Sequence, residues 1–452
     1  MLKSKWIIGL AFCISAPSLA QSDGSNPQTP FADYEEGRFV EASRAAEARL
    51  GTDPENSVWW ALLAEAQARL GENIQAAEAF GSAARFEADA AKRSYFLRAQ
   101  ALQLVYADRH KEARSIVRAA MDEPSLETRT SLDWAMVAIS ARDDRSAQEI
   151  LDNETLYSEF TRQTALDAGY SAKRRGLDKR AVDFFERGLA LDAGEDTPLD
   201  PAQRDAIRRE NRELTRDWSF LAQGSFSSAG RPIGPANTPL GDERALQFGA
   251  EVSRRIGGWR NGRPFSVFAR AYQSETLSGE GDTGNAAQGW VGVRYKPLSQ
   301  VNLNFEASRL VALDNDGLDD WSLRAAVSGG QGLEPEVGKR SWAYAHYYGD
   351  VSYLTVADVT LGLAEGRAGY SFLLGESATV LTPYAVARLG VDTGRAEEEA
   401  LGAGAGISLR HWFGESDTAA YRGFIDLDVQ ARQRIAGDRR ASGVLATLTI
   451  GR

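Results

Sequence analysis

The sequence predicts two regions of different fold class, an N-terminal α-helical solenoid and a C-terminal transmembrane antiparallel β-barrel of about 12 strands. Three observations predict this. The chain of 452 residues begins like an exported protein. Apolar residues recur at helical spacing up to about Arg216, and from Trp218 onward apolar and polar residues alternate. A period near 3.6 indicates helices, and a period of two indicates strands with two different faces.

The first twenty residues have the three parts of a secretory signal peptide. Lys3 and Lys5 give a basic start, an apolar run follows over 6–14, and Ser18-Leu19-Ala20 supplies the small residues of a cleavage site. A run this short cannot span a bilayer as a helix. We therefore predict a signal peptide over 1–20. The alternative is a buried N-terminal helix.

The composition excludes several functional classes. One Cys and three His exclude a disulfide framework and multi-cysteine metal or iron–sulfur sites. The formal net charge of −11 argues against a nucleic-acid partner, because such proteins present a basic face. The sequence shows no nucleophile elbow, phosphate-binding loop or zinc motif. We expect no enzymatic activity, no cofactor and no metal.

Residues 31–216 contain a repeat of helical segments rich in Ala, Glu, Arg and Leu. The Ala that follows each predicted turn recurs at spacings of 34, 37, 34 and 34 residues, and a second packing position lies four residues after it. Small residues at these markers let two helices approach closely, and larger ones fill the groove to the next repeat. The markers are Ala42, Ala76, Ala113, Ala147 and Ala181, and the second positions are Ala46, Phe80, Val117, Leu151 and Phe185.

This repeat resembles the tetratricopeptide family. The third and fourth copies lack the turn glycine, and we predict about five repeats whose concave face binds a protein or a chain-like ligand. The charge-rich stretch 204–216 is predicted to be a solvated capping helix. The second copy carries the resemblance best, through Trp60, Leu63, Ala64, Gly71, Ala76, Phe80 and Ala83.

The region 217–452 has the alternation of strands with one apolar and one polar face, as in Val301 to Ser308. Such strands fit either a soluble sandwich or a transmembrane barrel. Export, aromatic residues near strand ends (Trp290, Trp342 and Trp412, read as interface girdles) and alternating long and short connections favour an outer-membrane barrel. The gap 329–340 breaks that alternation of lengths. The predicted strands lie near 218–228, 244–256, 264–273, 287–295, 301–311, 321–328, 341–348, 358–373, 378–391, 399–413, 421–435 and 442–450.

The last strands resemble the phage-adsorption protein A family. The resemblance lies in the stretch Gly404 to Phe413, in Tyr421, and in the stretches 428–432 and 435–443. It implies periplasmic helical repeats ahead of an outer-membrane barrel, a link to exopolysaccharide secretion, and a role as a phage receptor. This chain differs in being short and in ending Ile450-Gly451-Arg452.

The polar face of the predicted strands carries many charges, and two functions fit them. Either this lumen lining hydrogen-bonds sugar hydroxyls as a polysaccharide passes, or opposite charges pair and plug a narrow barrel. Tyr272, Tyr344 and Trp412 are candidates for stacking on sugar rings, and the alternative for them is a girdle role near the strand ends. Alternate glycines over 402–406 are expected to admit a bulky lumen neighbour. The candidate lining is Glu251, Arg270, Arg294, Asn304, Glu306, Arg324, Arg388, Arg410, Asp426, Asp428 and Arg432.

Together these features predict an outer-membrane component of a surface polysaccharide secretion or assembly system. The barrel would be the export conduit, and the repeats would be a periplasmic docking platform for periplasmic or inner-membrane secretion and synthase proteins. The alternative is a non-conducting outer-membrane anchor, scaffold or surface phage receptor. The expected partners are outer-membrane lipid, a polysaccharide and those secretion proteins, with no nucleic acid.

Overall fold

The computed structural model describes residues 30–228, 244–277, 286–315, 317–375 and 377–452. The predicted signal peptide lies outside the described residues. The chain divides into two compact units, one ending at Leu156 and the other beginning at Tyr157. The change from helix to strand comes later, between Thr215 and Trp218. The predicted division at residue 217 therefore follows the secondary structure, whereas the second compact unit contains the last helices together with the barrel.

The helical region consists of consecutive helix pairs. Side-chain N-caps start the first helix of the later pairs, at Asn56, Asp89, Ser131 and Thr161, because these side chains accept hydrogen bonds from free backbone N–H groups. Within the described residues the α-helices are α1 Pro30–Glu35, α2 Phe39–Leu50, α3 Ser57–Arg69, α4 Asn73–Phe86, α5 Ala90–Tyr106, α6 His110–Met121, α7 Leu132–Ser140, α8 Asp144–Ile150, α9 Arg162–Arg174, α10 Asp178–Asp192 and α11 Pro201–Thr215.

Each helix pair turns through one residue in the left-handed backbone region. Gly37, Gly71 and Gly176 hold this position at φ 77°, 78° and 73°. Asp108 and Arg142 hold it in the third and fourth pairs, at φ 59° and 58°. The five positions have the spacings 34, 37, 34 and 34 of the sequence repeat. The two copies without a turn glycine therefore keep the same backbone conformation with a side chain present.

The repeat residues lie where this hairpin geometry places them. All five marker alanines and all five second positions, from Ala46 to Phe185, are buried. Trp60 is half-buried and its indole Nε1 donates to the Pro54 carbonyl oxygen at 2.8 Å. Gly71 is exposed and serves the turn, not the packing.

Twelve antiparallel strands close into a barrel in sequence order, with β1 paired to β12. The predicted strand count is therefore confirmed. Predicted strands six and seven were too short, since these strands continue to Gln331 and Leu354. The strands are β1 Trp218–Ser227, β2 Ala245–Ile256, β3 Phe265–Thr276, β4 Ala286–Tyr295, β5 Asn302–Ala312, β6 Asp320–Gln331, β7 Ser341–Leu354, β8 Val359–Leu373, β9 Thr379–Asp392, β10 Glu399–Phe413, β11 Gly423–Gly437 and β12 Gly443–Gly451.

The outer face of the barrel is apolar and the inner face is polar. On β11, Leu427 is 46% exposed on the outside, whereas Asp428 is 5% exposed on the inside. Large apolar residues occupy outward positions on other strands as well, for example Phe248, Val291 and Leu448. A closed barrel with such a band is the architecture of an outer-membrane barrel. Among the described residues, no helix is both long and apolar enough to cross a bilayer.

Helix α11 docks on the barrel at the end where β1 begins and β12 ends, here called the helical end. Arg208 donates to the Ser416 carbonyl oxygen, and the Asn211 amide donates to that of Thr418. Arg209 and Arg212 each form an ion pair of 3.0 Å with Glu334. The prediction of a solvated capping helix over 204–216 is therefore wrong. The docking of α11 also explains why the connection 329–340 is long, because its turn 332–340 carries Glu334, which pairs with this helix.

Candidate functional site in the barrel lumen

The strand register places all eleven predicted lining residues on the inner face. The two faces alternate along each strand, so residues two apart share a side and paired residues on neighbouring strands share it as well. Arg294 pairs with Glu306, which pairs with Arg324, and Arg410 pairs with Asp426. Most of these side chains contact one another, and they form two networks.

The first network, the Glu306 cluster, crosses six consecutive strands from β2 to β7. Three arginines surround the buried carboxylate of Glu306: Arg294 at 2.6 Å, Arg324 at 3.1 Å and Arg270 at 3.3 Å. Glu251 accepts from Arg270 at 2.6 Å and forms an ion pair with Arg294 at 2.9 Å.

Asp350 completes the Glu306 cluster. Its carboxylate accepts from Arg324 Nε at 2.9 Å, and Arg324 also donates to the Tyr348 hydroxyl. The Glu306 cluster therefore contains three acids and three arginines. Buried charges are tolerated when each is paired and hydrogen-bonded. Each charge of this cluster has a partner of opposite sign, and only Oδ1 of Asp350 has no hydrogen-bond partner among the described residues of the cluster.

The second network, the Asp428 cluster, joins β8, β9 and β11. Asp428 accepts from Arg367 at 3.0 Å and from the Tyr384 hydroxyl at 2.6 Å. Glu365 pairs with Arg367 at 2.7 Å and with Arg388 at 3.6 Å. Arg367 also lies over the Tyr384 ring, 4.7 Å from its centre.

A glycine makes room for this arrangement. Tyr384 crosses the backbone at Gly406, where a Cβ atom would lie 2.5 Å from the tyrosine ring. Only glycine permits so close an approach. The expectation that glycines over 402–406 admit a bulky lumen neighbour is therefore met at Gly406.

The remaining predicted residues have simpler surroundings. Asp426 accepts from Arg410 at 3.1 Å and from the Ser408 hydroxyl at 2.5 Å. The Asn304 amide donates to Asn302 at 3.1 Å. Arg432 forms no ion pair with any described residue, and its buried Nε has no hydrogen-bond partner there.

Several aromatic residues predicted as interface girdles lie inside the barrel. Trp290 packs in an inner apolar cluster with Leu310 and Leu361 and meets Tyr272 edge-on at 5.6 Å between ring centres. Trp342 and Trp412 form a second inner cluster with Val380.

The girdle prediction is wrong for these residues because it ignored strand alternation. Trp290 is four residues from Arg294 on one strand, and Trp412 is two residues from Arg410, so each tryptophan shares the inner face with its arginine. Tyr344 is also inside, 6.4 Å from the Tyr384 ring. Trp321 and Tyr295 are among the aromatics exposed on the outside.

Part of the lumen is open. A cavity of about 620 Å³ lies between the charged networks and a wall of uncharged polar side chains from β1, β11 and β12. Gln430 is 1% exposed, and its Oε1 has no hydrogen-bond partner among the described residues. The hydroxyl of buried Ser225 also has no partner there. This wall is formed by Gln223, Ser225, Gln430, Thr447 and Thr449.

The sequence missed Asp350, Glu365, Arg367 and Tyr384. Asp350 lies beyond the predicted end of β7. Glu365 and Arg367 alternate with Ala364, Gly366 and Ala368, so no strong outward apolar residue fixes the phase of β8 there. Two signals were available in the sequence. A longer β7 includes Asp350, and the charge pair of Glu365 and Arg367 marks the inner face of β8.

The described residues contain no group of three or more metal-ligating acids, histidines or cysteines. The arrangement can pair charges, hold a rigid wall and hydrogen-bond polar solutes.

Known proteins resemble this chain in two ways. The family model described as "Bacteriophage N adsorption protein A C-term" matches residues 279–448. "Bacteriophage adsorption protein A" of Escherichia coli (strain K12) is 26% identical over 379 residues, 77% of this chain and 37% of that protein. The resemblance to the phage-adsorption protein A family is confirmed. The chain spans little more than a third of the length of this curated relative.

Solved structures resemble each region separately. MamA matches at TM-score 0.32 and 16% identity, covering 38% of this chain and 98% of MamA. An outer membrane channel from Pseudomonas putida F1 matches at TM-score 0.31 and 10% identity, covering 56% and 99%. A bacterial polysaccharide outer membrane secretin matches at TM-score 0.26 and 8% identity, covering 52% and 97%.

Proposed function

We propose that this protein is a non-enzymatic outer-membrane anchor whose barrel is closed at rest and whose surface loops act as a receptor. One observation carries the proposal: Glu306, buried on the inner face of the barrel, is held by arginines from three strands. An ion passing this point would have to compete with these pairs. Separating a buried pair leaves a charge without compensation, which costs about 3–5 kcal/mol.

The helices are proposed to lie in the periplasm. An even strand number puts both barrel termini on one side, and the short turns of outer-membrane barrels face the periplasm. The helical end fits that side, because the helices precede β1 directly. In this arrangement the repeats are a docking platform for periplasmic or inner-membrane proteins of a surface polysaccharide system. The adsorption function named for the E. coli relative supports the receptor role.

Passage of a polysaccharide through the barrel is the second candidate function. It is favoured by the cavity of about 620 Å³, whose uncharged wall carries amide and hydroxyl side chains. Sugar hydroxyls both donate and accept, so they match such a wall. A conduit would require the charged networks to move aside or the polymer to follow this wall alone.

Single-cysteine labelling tests the proposed location. The only native cysteine is Cys13, so a Cys13→Ala background carries no other thiol. Val356, 71% exposed in the turn between β7 and β8, lies at the end opposite Asp417 in turn 414–422. A membrane-impermeant maleimide should label Val356→Cys on intact cells, and Asp417→Cys only after the outer membrane is permeabilised. Equal labelling of both on intact cells would contradict the location.

Filling the cavity separates the two candidate functions. Thr447→Trp adds bulk at the cavity wall, whereas the neighbouring Leu448→Trp adds the same bulk on the outer apolar face. An anchor tolerates both changes, and surface polymer should be released at wild-type levels. A specific loss of release with Thr447→Trp, at unchanged protein level, would favour the conduit.

A further inference from the structure

The helical end of the barrel contains a second cavity, of about 310 Å³, here called the vestibule. It lies between α11, the start of β1 and the chain around residues 421–424. Leu221 and Glu251 line both the vestibule and the lumen cavity, so the two spaces adjoin. Four arginines from different elements, Arg212, Arg216, Arg422 and Arg452, contribute to its lining.

The acidic side chains of the vestibule are already engaged. Glu213 is paired with Arg212 at 2.9 Å, and Glu334 is paired with Arg212 and with Arg209 at 3.0 Å each. Glu251 belongs to the Glu306 cluster. No carboxylate of these three is left for the other arginines of the vestibule.

Arg216 and Arg422 have no ion-pair partner among the described residues. Arg216 Nη2 donates to the Arg422 carbonyl oxygen at 3.0 Å, and Arg422 Nη2 donates to the Thr215 hydroxyl at 3.3 Å. A guanidinium carries five N–H donors, so most donors on both side chains remain unused. Two cationic forks with free donors therefore border one cavity.

The surroundings of Arg216 disfavour its positive charge. Burial lowers the pKa of the Arg216 guanidinium, and the neighbouring charges of Arg212 and Arg422 lower it as well. Glu213 and Glu334 act in the opposite direction without reversing the shift. An added anion would relieve this repulsion.

We propose that the vestibule binds a phosphate group through Arg216 and Arg422. Planar guanidinium groups match phosphate oxygens in bidentate geometry, which favours this anion class. The phosphate has two possible sources with the same chemistry. Phe220, exposed on the outer face, also lines the vestibule, so a phospholipid headgroup can reach it from the membrane. A soluble phosphorylated ligand can reach it from the aqueous side.

Two probes distinguish these sources with the full chain. Tripolyphosphate is titrated calorimetrically into protein in a zwitterionic, phosphate-free detergent, and retained phosphatidylglycerol is counted by native mass spectrometry after nanodisc reconstitution. The double variant Arg216→Gln with Arg422→Gln should bind at least about tenfold more weakly, because charge-assisted hydrogen bonds are lost. Arg263→Gln is the matched control, since Arg263 is exposed in another turn at the same end and does not line the vestibule.

Each outcome decides the proposal. Binding of tripolyphosphate alone identifies a soluble ligand, and retention of phosphatidylglycerol alone identifies the lipid. Either result supports the site when the double variant loses this binding and Arg263→Gln keeps it. Binding of neither probe, an unaffected double variant, or an equal loss with Arg263→Gln overturns it. If the double variant fails to fold, as judged by heat-modifiable migration on gels, the single change Arg422→Gln at an exposed position provides the same test.

Discussion

The helical region and the barrel differ in how far apart in the sequence their essential partners lie. In the helices, each copy of about 34 residues supplies its own turn, caps and buried alanines, and neighbouring helices pack against each other. The buried hydrogen bond from Trp134 to Ser94 there spans 40 residues. In the barrel, Asp428 depends on Arg367, 61 residues away, and Leu221 on the first strand pairs with Gly451 on the last. A substitution in the helices should therefore act locally, whereas one in a lumen network should affect several strands.

The largest effect is expected from removing the acid at the centre of the Glu306 cluster. Glu306→Ala leaves three arginines facing each other in the lumen, and breaking buried pairs costs about 3–5 kcal/mol. Urea unfolding of the refolded barrel in detergent, followed by tryptophan fluorescence, measures this change in the free energy of unfolding.

Gln430→Ala is the matched control on the opposite wall. Gln430 is as deeply buried but uncharged, and its Oε1 already lacks a partner, so the expected loss is about 1 kcal/mol. Equal losses for the two variants would mean that the lumen networks do not couple the strands, and the comparison would fail.

The next effect tests the two faces of one strand. Leu448 is exposed on the outer face, and the adjacent Thr449 lines the lumen cavity. Leu448→Lys places a charge in lipid and should cost about 2–4 kcal/mol, whereas Thr449→Lys can reach the water of the cavity. The fraction of heat-modifiable barrel on gels should fall for the first variant only. The reverse order would place the strand in the wrong register.

The smallest effect concerns a single turn of the helices. Arg142 holds a left-handed conformation that glycine adopts without strain. Arg142→Gly should therefore raise the free energy of unfolding of the helical region by about 1 kcal/mol. Gly71→Ala, at the same position of another copy, should lower this free energy of unfolding by a similar amount. Thermal unfolding followed by far-ultraviolet circular dichroism measures both. Shifts of the same sign would show that the five turns are not equivalent.

The features that the sequence predicts correctly are those set by local partners, and the features it misses depend on distant ones. Periodicity located the helix pairs, the strands and their faces, because those depend on residues two to four positions apart. It did not give the contact of Glu306 with Arg270, which reaches across β4 and depends on the registers of two strand pairs. It also missed the docking of α11, since mixed charges at helical spacing look the same in solvent as against a charged turn such as that of Glu334.

Errors over the tryptophans have a different cause. Residue type and a place near the strand ends predict a girdle role for Trp290, Trp342 and Trp412, although their own strand alternation places them inside. Large aromatic side chains fill a barrel lumen as well as they mark a membrane interface, so residue type does not decide the face. The face is decided by strand alternation relative to neighbouring charged residues such as Arg294 and Arg410.

Ion conductance of the purified full chain in a planar bilayer tests the central claim most directly. We propose that the Glu306 and Asp428 clusters close the barrel at rest, so the account predicts a bilayer with inserted protein but no steady current at low voltage. Insertion is checked independently by heat-modifiable migration of the recovered protein. Steady single-channel current from the unmodified chain would contradict the anchor and show that the lumen conducts past both clusters.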